Sequence, residues 1–139
     1  MALAESGISA LKQFLGERNV LTNQEDLIPY SFDGTAALQQ MPGCVVFAES
    51  PESVGLILKY AGENRIPVVA RGSGTGLSGG SLPVPGCIVL CLAKMDKILE
   101  LDRANLTMLV EAGVTTLGVA EAANAALTTG RASSTRSRP

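Results

Sequence analysis

The sequence predicts an α+β fold in which a strand–helix–strand unit is followed by antiparallel strands. An apolar run at 44–48, a helix start at Ser50-Pro51-Glu52 and a second apolar run at 66–70 predict the first unit. Three more apolar runs follow with short turns between them, which suits antiparallel neighbours: 87–92, 97–102 and 106–112. This order of elements favours α+β over a doubly wound parallel sheet.

The amino-terminal part is predicted to be helical. Apolar residues recur at helical spacing over 7–18, which predicts an amphipathic helix. The pattern Thr22-Asn23-Gln24-Glu25 is that of a capping box, so a short helix is expected to begin there and to end or bend at Pro29. The segment 30–34 is predicted to be a loop, and the ring of Tyr30 is expected to pack against the domain.

Two further helices are predicted from local signals. The helix after the first strand is expected to end at Gly62 or Asn64, where the chain can take a C-cap conformation. Its apolar face comprises four residues at helical spacing: Val54, Ile57, Leu58 and Ala61. The last helix is expected to be capped by Thr115 or Thr116 and to run through an alanine-rich stretch to about Ala126.

The most informative stretch is the loop RGSGTGLSGG, residues 71–80, which directly follows the second strand and contains five glycines. Such density indicates that the backbone needs positive φ angles or that a ligand approaches it closely. Successive amides in such a loop can form a concave nest for phosphate oxygens. Arg71 adds a positive charge at the mouth, and the serine and threonine hydroxyls add donors. The candidate cofactor-binding residues are contiguous: Ala70, Arg71, Gly72, Ser73, Gly74, Thr75, Gly76, Leu77, Ser78 and Gly79.

The loop has three other possible interpretations. A P-loop needs Gly-Lys-Ser/Thr at its end, but no lysine lies between Lys59 and Lys94. A GxGxxG occurs at Gly74, Gly76 and Gly79, yet Pro83 and Pro85 follow where a dinucleotide-binding fold would open a helix. A flexible surface turn is the remaining alternative, but it would need neither the buried strand before it nor the interleaved hydroxyls.

Composition excludes several classes of function. The 139 residues carry a net charge of −2, 4% aromatic residues and no tryptophan, so no nucleic-acid partner is expected. Three cysteines form no CxxC and there is no histidine, so no metal site is expected. The cysteines are predicted to be buried thiols of a cytoplasmic protein. No targeting segment is evident, and no membrane span is expected, because the longest uncharged run, 73–93, is broken by glycine and proline.

The strings IPVVARGSGTGLSGGSLP, GCIVLCLAKMDKILELD and LTMLVEAGVTTLGV closely resemble the FAD-linked oxidase family. This family has the vanillyl-alcohol-oxidase or p-cresol-methylhydroxylase (PCMH) type of FAD-binding domain. Within it, the sequence looks most like the FAD-binding subunit of glycolate oxidase and like D-lactate dehydrogenases. The resemblance covers roughly residues 20–126. It implies that the backbone amides of the glycine loop hold the FAD pyrophosphate.

The resemblance also implies a domain division. Residues 1–42 are expected to be an amino-terminal helical wrap, and residues 43–126 the first lobe of a PCMH-type FAD-binding domain. Residues 127–139 resemble no part of the family, combine arginine with small polar residues, and are expected to be a disordered tail. The chain is therefore expected to be truncated after the first lobe.

Two functional classes remain open. The first is the FAD-binding part of an oxidoreductase that passes a hydride from a small 2-hydroxy acid, such as glycolate or D-lactate, to the flavin. FAD would be bound non-covalently, since no histidine exists for covalent attachment. Other subunits of an oxidase complex are the further partners implied, and no catalytic residue can be assigned. The second class is a truncated nucleotide-binding fragment without turnover of its own.

Overall fold

The computed structural model describes residues 5–35 and 37–132, with side chains described as far as Thr128. The chain divides between Met95 and Asp96 into two compact units, and each is taken by itself below. Their mixture of helices with parallel and antiparallel strands makes the fold α+β, as the sequence predicts.

The first unit contains a four-stranded sheet in the order β1-β2-β4-β3. Its strands are β1 (Val20–Leu21), β2 (Cys44–Phe47), β3 (Val68–Arg71) and β4 (Ile88–Cys91). Strand β4 pairs in parallel with both β2 and β3, whereas β1 pairs antiparallel with β2. The expectation that 87–92 is an antiparallel neighbour of the strand that follows it was therefore wrong, and β1 was missed.

The reason lies in the chain between β3 and β4. Residues 72–87 are long enough to carry the chain from the carboxyl edge of the sheet back to its amino edge, so that β4 can run parallel to β3 and lie between β2 and β3. All four residues of β4 are buried. A strand covered on both faces has a continuous apolar sequence, and such a run is equally compatible with either strand direction.

Helix α1 (Glu5–Leu15) ends three residues earlier than the predicted 7–18. It stops because Gly16 takes a φ of 84°, and a single 3-10 turn, Glu17–Asn19, follows. The predicted capping box at 22–25 does not form. Helix α2 (Gln24–Leu27) has Asn23 as its N-cap without a side-chain cap, because the Asn23 amide donates to Asp26 Oδ2 at 3.1 Å instead.

Helix α3 (Pro51–Glu63) begins where its sequence signals place it. Ser50 Oγ accepts from the Ser53 amide at 3.3 Å, and Ser53 Oγ accepts from the Ser50 amide at 3.1 Å, which completes a capping box. Ile57 and Ala61 are buried on the inner face of the helix. Leu58, predicted to share that face, is 49% exposed.

Apolar residues cover both faces of this sheet. One cluster surrounds Ile57 and Ile88 and includes Cys44, and the other is built from Leu27, Val45, Cys87, Val89 and Cys91. Cys87 and Cys91 therefore share one face, as their spacing predicts, and all three thiols are free and buried. Burial raises the pKa of the Cys44 thiol to about 12, so this thiol is protonated and unreactive near neutral pH.

The second unit contains the antiparallel hairpin β5 (Ile98–Asp102) and β6 (Thr107–Val110), which confirms the predicted pairing. The Asp102 carboxylate accepts from the backbone amides of Ala104 and Asn105, at 2.9 and 3.1 Å, and so closes the turn. Leu106 follows with a φ of 55°.

Helix α4 (Thr116–Ala132) has the predicted cap, since Thr115 Oγ1 accepts from the Gly118 amide at 3.1 Å. It continues beyond Ala126, where its end was expected, so the start of the predicted tail is helical. Residues 133–139 of that tail lie outside the described residues, and the predicted domain boundaries stay a prediction. No helix in the described ranges is long and apolar enough to cross a membrane.

Candidate functional site

The glycine loop begins where β3 ends, at the carboxyl edge of the sheet. Among the residues that the structure describes, none accepts a hydrogen bond from the backbone amides of residues 72–78. These seven consecutive amides thus have no acceptor among the described residues, and most of the residues that carry them are exposed. Exposed consecutive donors at the end of a strand are the arrangement that binds phosphate oxygens.

Side chains of the loop also face solvent. Ser73 Oγ lies 3.3 Å from Thr75 Oγ1, so these two hydroxyls bond to each other. Leu77 is 79% exposed, although it is large and apolar. Ala70 and Ser78 are exposed as well. The side chains of the predicted site residues are therefore largely exposed on one loop, and one of them is buried instead.

That exception is Arg71, whose guanidinium does not project from the mouth of the loop. Arg71 is only 7% exposed. Its Nη1 donates to the Phe32 carbonyl at 2.6 Å, and its Nη2 donates to the Pro29 carbonyl at 3.1 Å. The guanidinium also lies 5.4 Å from the centroid of the Tyr30 ring, which itself packs edge-on against Phe47. Arg71 thus connects the strand to segment 29–32.

Gly74 lies against the same guanidinium. It has a φ of 78°, and a Cβ at this position would overlap the Arg71 side chain. A side chain at residue 74 would therefore have to displace a buried cation that makes two hydrogen bonds. Glycine is needed here for two independent reasons, the backbone angle and the close contact.

A second segment supports the loop from the other side. The Gly34 amide donates to the Gly76 carbonyl at 2.9 Å, and the Gly79 amide donates to Thr35 Oγ1 at 3.0 Å. Gly34 is packed so closely that a Cβ would lie 2.8 Å from the Gly76 carbonyl oxygen. The sequence predicted only a loop at 30–34. Its Asp-Gly-Thr string was the available signal, but nothing local indicates its partner.

Asp33 precedes these contacts and is 6% exposed. Its Oδ1 accepts from the Thr35 amide at 2.8 Å. This bond lowers the pKa of the Asp33 carboxyl below its ordinary value, and the nearby Ser81 amide and Arg71 charge act in the same direction, against the opposing effect of desolvation. The carboxylate is therefore ionised at neutral pH.

A pH dependence of stability follows from Asp33. Because its pKa is lower in the folded than in the unfolded chain, its contribution is fully present well above the unfolded value of 3.8 and is lost as the pH falls through the folded pKa. The free energy of unfolding of wild type should therefore fall more between pH 6 and pH 3 than that of Asp33→Asn. Urea unfolding of both proteins at these pH values measures the difference, and parallel profiles would contradict it.

The described residues contain no group of three or more histidine, cysteine, aspartate or glutamate side chains placed to hold a metal ion. The model of an FAD binding domain family matches residues 42–137. The chain belongs to this FAD-binding domain family. The match includes the whole glycine loop and all of β2 to β6.

Named relatives agree with this membership. The chain is 39% identical over 112 residues to the glycolate oxidase subunit GlcD of Bacillus subtilis, covering 81% of this chain and 24% of that protein. It is 34% identical over 101 residues to D-lactate dehydrogenase of Anaerostipes hadrus, covering 72% of this chain and 21% of that protein. The chain thus spans less than a quarter of the length of either relative.

The fold of this family member is shared with a solved structure of p-cresol methylhydroxylase with substrate bound. The TM-score is 0.77 at 28% identity, and the match covers 88% of this chain and 24% of that one. This likeness confirms the PCMH-type fold that the sequence predicts.

Proposed function

We propose that this chain is the FAD-binding part of a flavoprotein oxidoreductase and that the glycine loop cradles the pyrophosphate. The single observation that supports this most is the run of amides at 72–78, at the carboxyl end of β3, for which no described residue is an acceptor. Membership of an FAD-binding domain family supplies the identity of the nucleotide. The loop fits the group, because glycines leave its amides accessible and two bonds from Gly34 and Thr35 fix its shape.

The proposed cofactor-binding residues run from Ala70 to Gly79. Within this range, the backbone amides of 72–78 bind phosphate oxygens, and the hydroxyls of Ser73 and Thr75 can turn from each other toward the ligand. Arg71 acts by positioning Gly74 and segment 29–32, since its side chain is buried and each terminal nitrogen already donates to a carbonyl oxygen. Non-covalent binding of FAD by these residues is part of the proposal, because none of the 139 residues is a histidine to which the flavin could be attached.

The proposed reaction is the oxidation of a small 2-hydroxy acid of the glycolate or D-lactate type. The names of the two relatives support this substrate class. When bound, the flavin supplies the acceptor for the hydride. The part of this chain is to hold the cofactor, and no described side chain is assigned as a base or as a substrate-carboxylate ligand.

Two further proposals concern the setting of the protein. Because one relative is named a subunit, other subunits of an oxidase complex are proposed as partners. A cytoplasmic location is proposed from the three buried free thiols, since reducing compartments keep thiols reduced.

The alternative function is nucleotide binding without turnover. The observation that favours it is that the chain spans 24% of the glycolate oxidase subunit it matches. A flavin ring must be sheltered on its faces and set against an oriented substrate. One loop does not provide enough protein surface to enclose the ring in this way. The two functions share the loop and differ only in catalysis.

The test is a titration of the purified chain with FAD, followed by flavin fluorescence, and then an assay with an artificial electron acceptor. Saturable FAD binding is expected, with no oxidation of glycolate or D-lactate by this chain alone. Failure to bind FAD would overturn the proposed function. Robust turnover that is lost in Gly74→Val would instead remove the alternative.

A further inference from the structure

The run of amides without an acceptor ends at Gly79. The Gly79 amide donates to Thr35 Oγ1 at 3.0 Å, whereas the amides of 72–78 have no acceptor among the described residues. Gly79 takes a φ of 71°, and its carbonyl accepts from the Leu82 amide at 3.2 Å, so the chain turns here. The half-buried Thr35 hydroxyl therefore holds the end of the run that is proposed to bind phosphate.

Two hydrogen bonds fix the orientation of two peptide groups in the loop. In a planar trans peptide, the carbonyl of one residue and the amide of the next point in opposite directions. The bond from the Gly34 amide to the Gly76 carbonyl, at 2.9 Å, therefore makes the Leu77 amide point away from Gly34. The bond from the Gly79 amide to Thr35 fixes the next peptide group but one. Loss of this second bond would free that peptide group to rotate.

Thr35 is itself held in place by Asp33. The Asp33 carboxylate accepts from the Thr35 amide at 2.8 Å, in the turn that an aspartate forms with the residue two positions on. Together with this bond, the Thr35 hydroxyl and the Ser81 amide lower the pKa of the carboxyl against the effect of desolvation. A hydroxyl has one proton and two lone pairs, so donation toward Asp33 leaves a lone pair for the Gly79 amide. The hydroxyl thus connects a buried carboxylate to the end of the loop.

This connection bears on binding because the loop is rich in glycine. Glycine adopts positive and negative φ angles about equally well, so a loop with five glycines can also adopt conformations in which its amides diverge. The affinity of a ligand that needs one conformation is reduced by the fraction of molecules that adopt it. A bond that holds the Gly79 end before the ligand arrives raises this fraction, and the affinity rises with it.

We propose that Thr35 is a positioning residue for the cofactor: its hydroxyl holds the Gly79 end of the glycine loop so that the amides of 72–78 are oriented toward the pyrophosphate before FAD arrives. The inference rests on the proposed function, because it needs FAD to bind at these amides. Thr35 then acts without touching FAD. Its loss therefore lowers the rate of FAD association and leaves the rate of dissociation unchanged.

The experiment compares wild type with Thr35→Val, Thr35→Ser and the control Asn64→Ala. Valine keeps the branched shape of threonine without the hydroxyl, and serine keeps the hydroxyl. Asn64 Nδ2 donates to the Tyr60 carbonyl at 2.8 Å, so the control also loses one hydrogen bond between a side chain and the backbone, but at the end of α3. FAD affinity should fall about tenfold in Thr35→Val, because one amide loses its partner. It should stay at the wild-type value in Asn64→Ala and be largely restored in Thr35→Ser.

Stopped-flow mixing of FAD with each protein, followed by flavin fluorescence, separates positioning from direct contact. The loss in Thr35→Val should appear as about tenfold slower association with unchanged dissociation. Urea unfolding without ligand verifies that the variant is folded. If Thr35→Val does not fold, amide hydrogen exchange is measured on wild type by NMR. The Gly79 amide should be protected without FAD, and the amides of 72–78 should become protected only after FAD is added.

Equal FAD affinity in wild type and a folded Thr35→Val overturns the inference and leaves the proposed function standing. A loss that Thr35→Ser or Asn64→Ala shares in full, or one that appears only as faster dissociation, overturns it as well. So does a Gly79 amide that exchanges as fast as those of 72–78 in wild type without FAD. If wild type does not bind FAD, the proposed function fails and the positioning role fails with it.

Discussion

Replacing Gly74 by valine should abolish measurable FAD binding and lower the free energy of unfolding by about 3–5 kcal/mol. A β-branched residue is strained at the φ of 78° that Gly74 adopts, and its Cβ would overlap the Arg71 guanidinium. Displacing that group breaks its bonds to the Phe32 and Pro29 carbonyls. The loop then loses both its shape and its support. FAD titration and urea unfolding measure the two effects separately.

Gly72→Ala is the matched control for stability. Gly72 has no positive φ, and a Cβ there would meet nothing within 4 Å. Alanine at residue 72 should therefore leave the free energy of unfolding within about 0.5 kcal/mol of wild type. If Gly74→Val unfolds at the same urea concentration as Gly72→Ala, the contact between Gly74 and Arg71 has no energetic importance.

Replacing Arg71 by alanine should lower the free energy of unfolding by about 2–4 kcal/mol, because two buried charge-assisted hydrogen bonds are lost. FAD affinity should fall as well, although the side chain is not proposed to touch FAD, because segment 29–35 would no longer hold the loop. Arg71→Lys keeps the charge but cannot donate to both carbonyls in a fixed fork. It should therefore recover only part of the stability.

The effects of substitutions at Arg71 and Gly74 on stability should also be coupled. Without the guanidinium, a Cβ at residue 74 has room, and only the strain of its backbone remains. Gly74→Ala should consequently cost less stability in the Arg71→Ala background than in wild type, which a double-mutant cycle measures directly. Strict additivity, or full FAD affinity in a folded Arg71→Ala variant, would argue against a positioning role.

Local signals were enough to predict those parts of the fold that depend on neighbours in sequence. Helix α3 begins at Pro51 because Ser50 and Ser53 cap each other, and both lie within one turn. The hairpin β5–β6 was predictable because a short turn joins its strands. The direction of β4 relative to its neighbours was not predictable, since the sequence of a fully buried apolar strand does not indicate which strands pair with it.

The candidate site divides in the same way. The glycine loop could be recognised from sequence, because its composition reflects demands on its own backbone. The partners of Arg71 could not, since the carbonyls that accept from it lie in segment 29–32, far away in the chain. An arginine beside a glycine loop suggests an anion ligand, and only the fold reveals that this one is buried and donates to two backbone carbonyls. Asp33 was missed for the same reason.

The central position of β4 has a consequence for how the protein folds. Within the sheet, β2 and β3 are connected by hydrogen bonds only through β4, which pairs in parallel with both. The parallel part of the sheet therefore cannot assemble until residues 72–87 have formed the loop that brings β4 next to β3. Closing this loop costs conformational entropy before the hydrogen bonds between the strands can compensate for it. Strain in the glycine loop should then appear mainly as slower refolding, with little change in the unfolding rate. The glycines proposed to expose amides to a nucleotide should therefore also influence the rate at which the sheet forms.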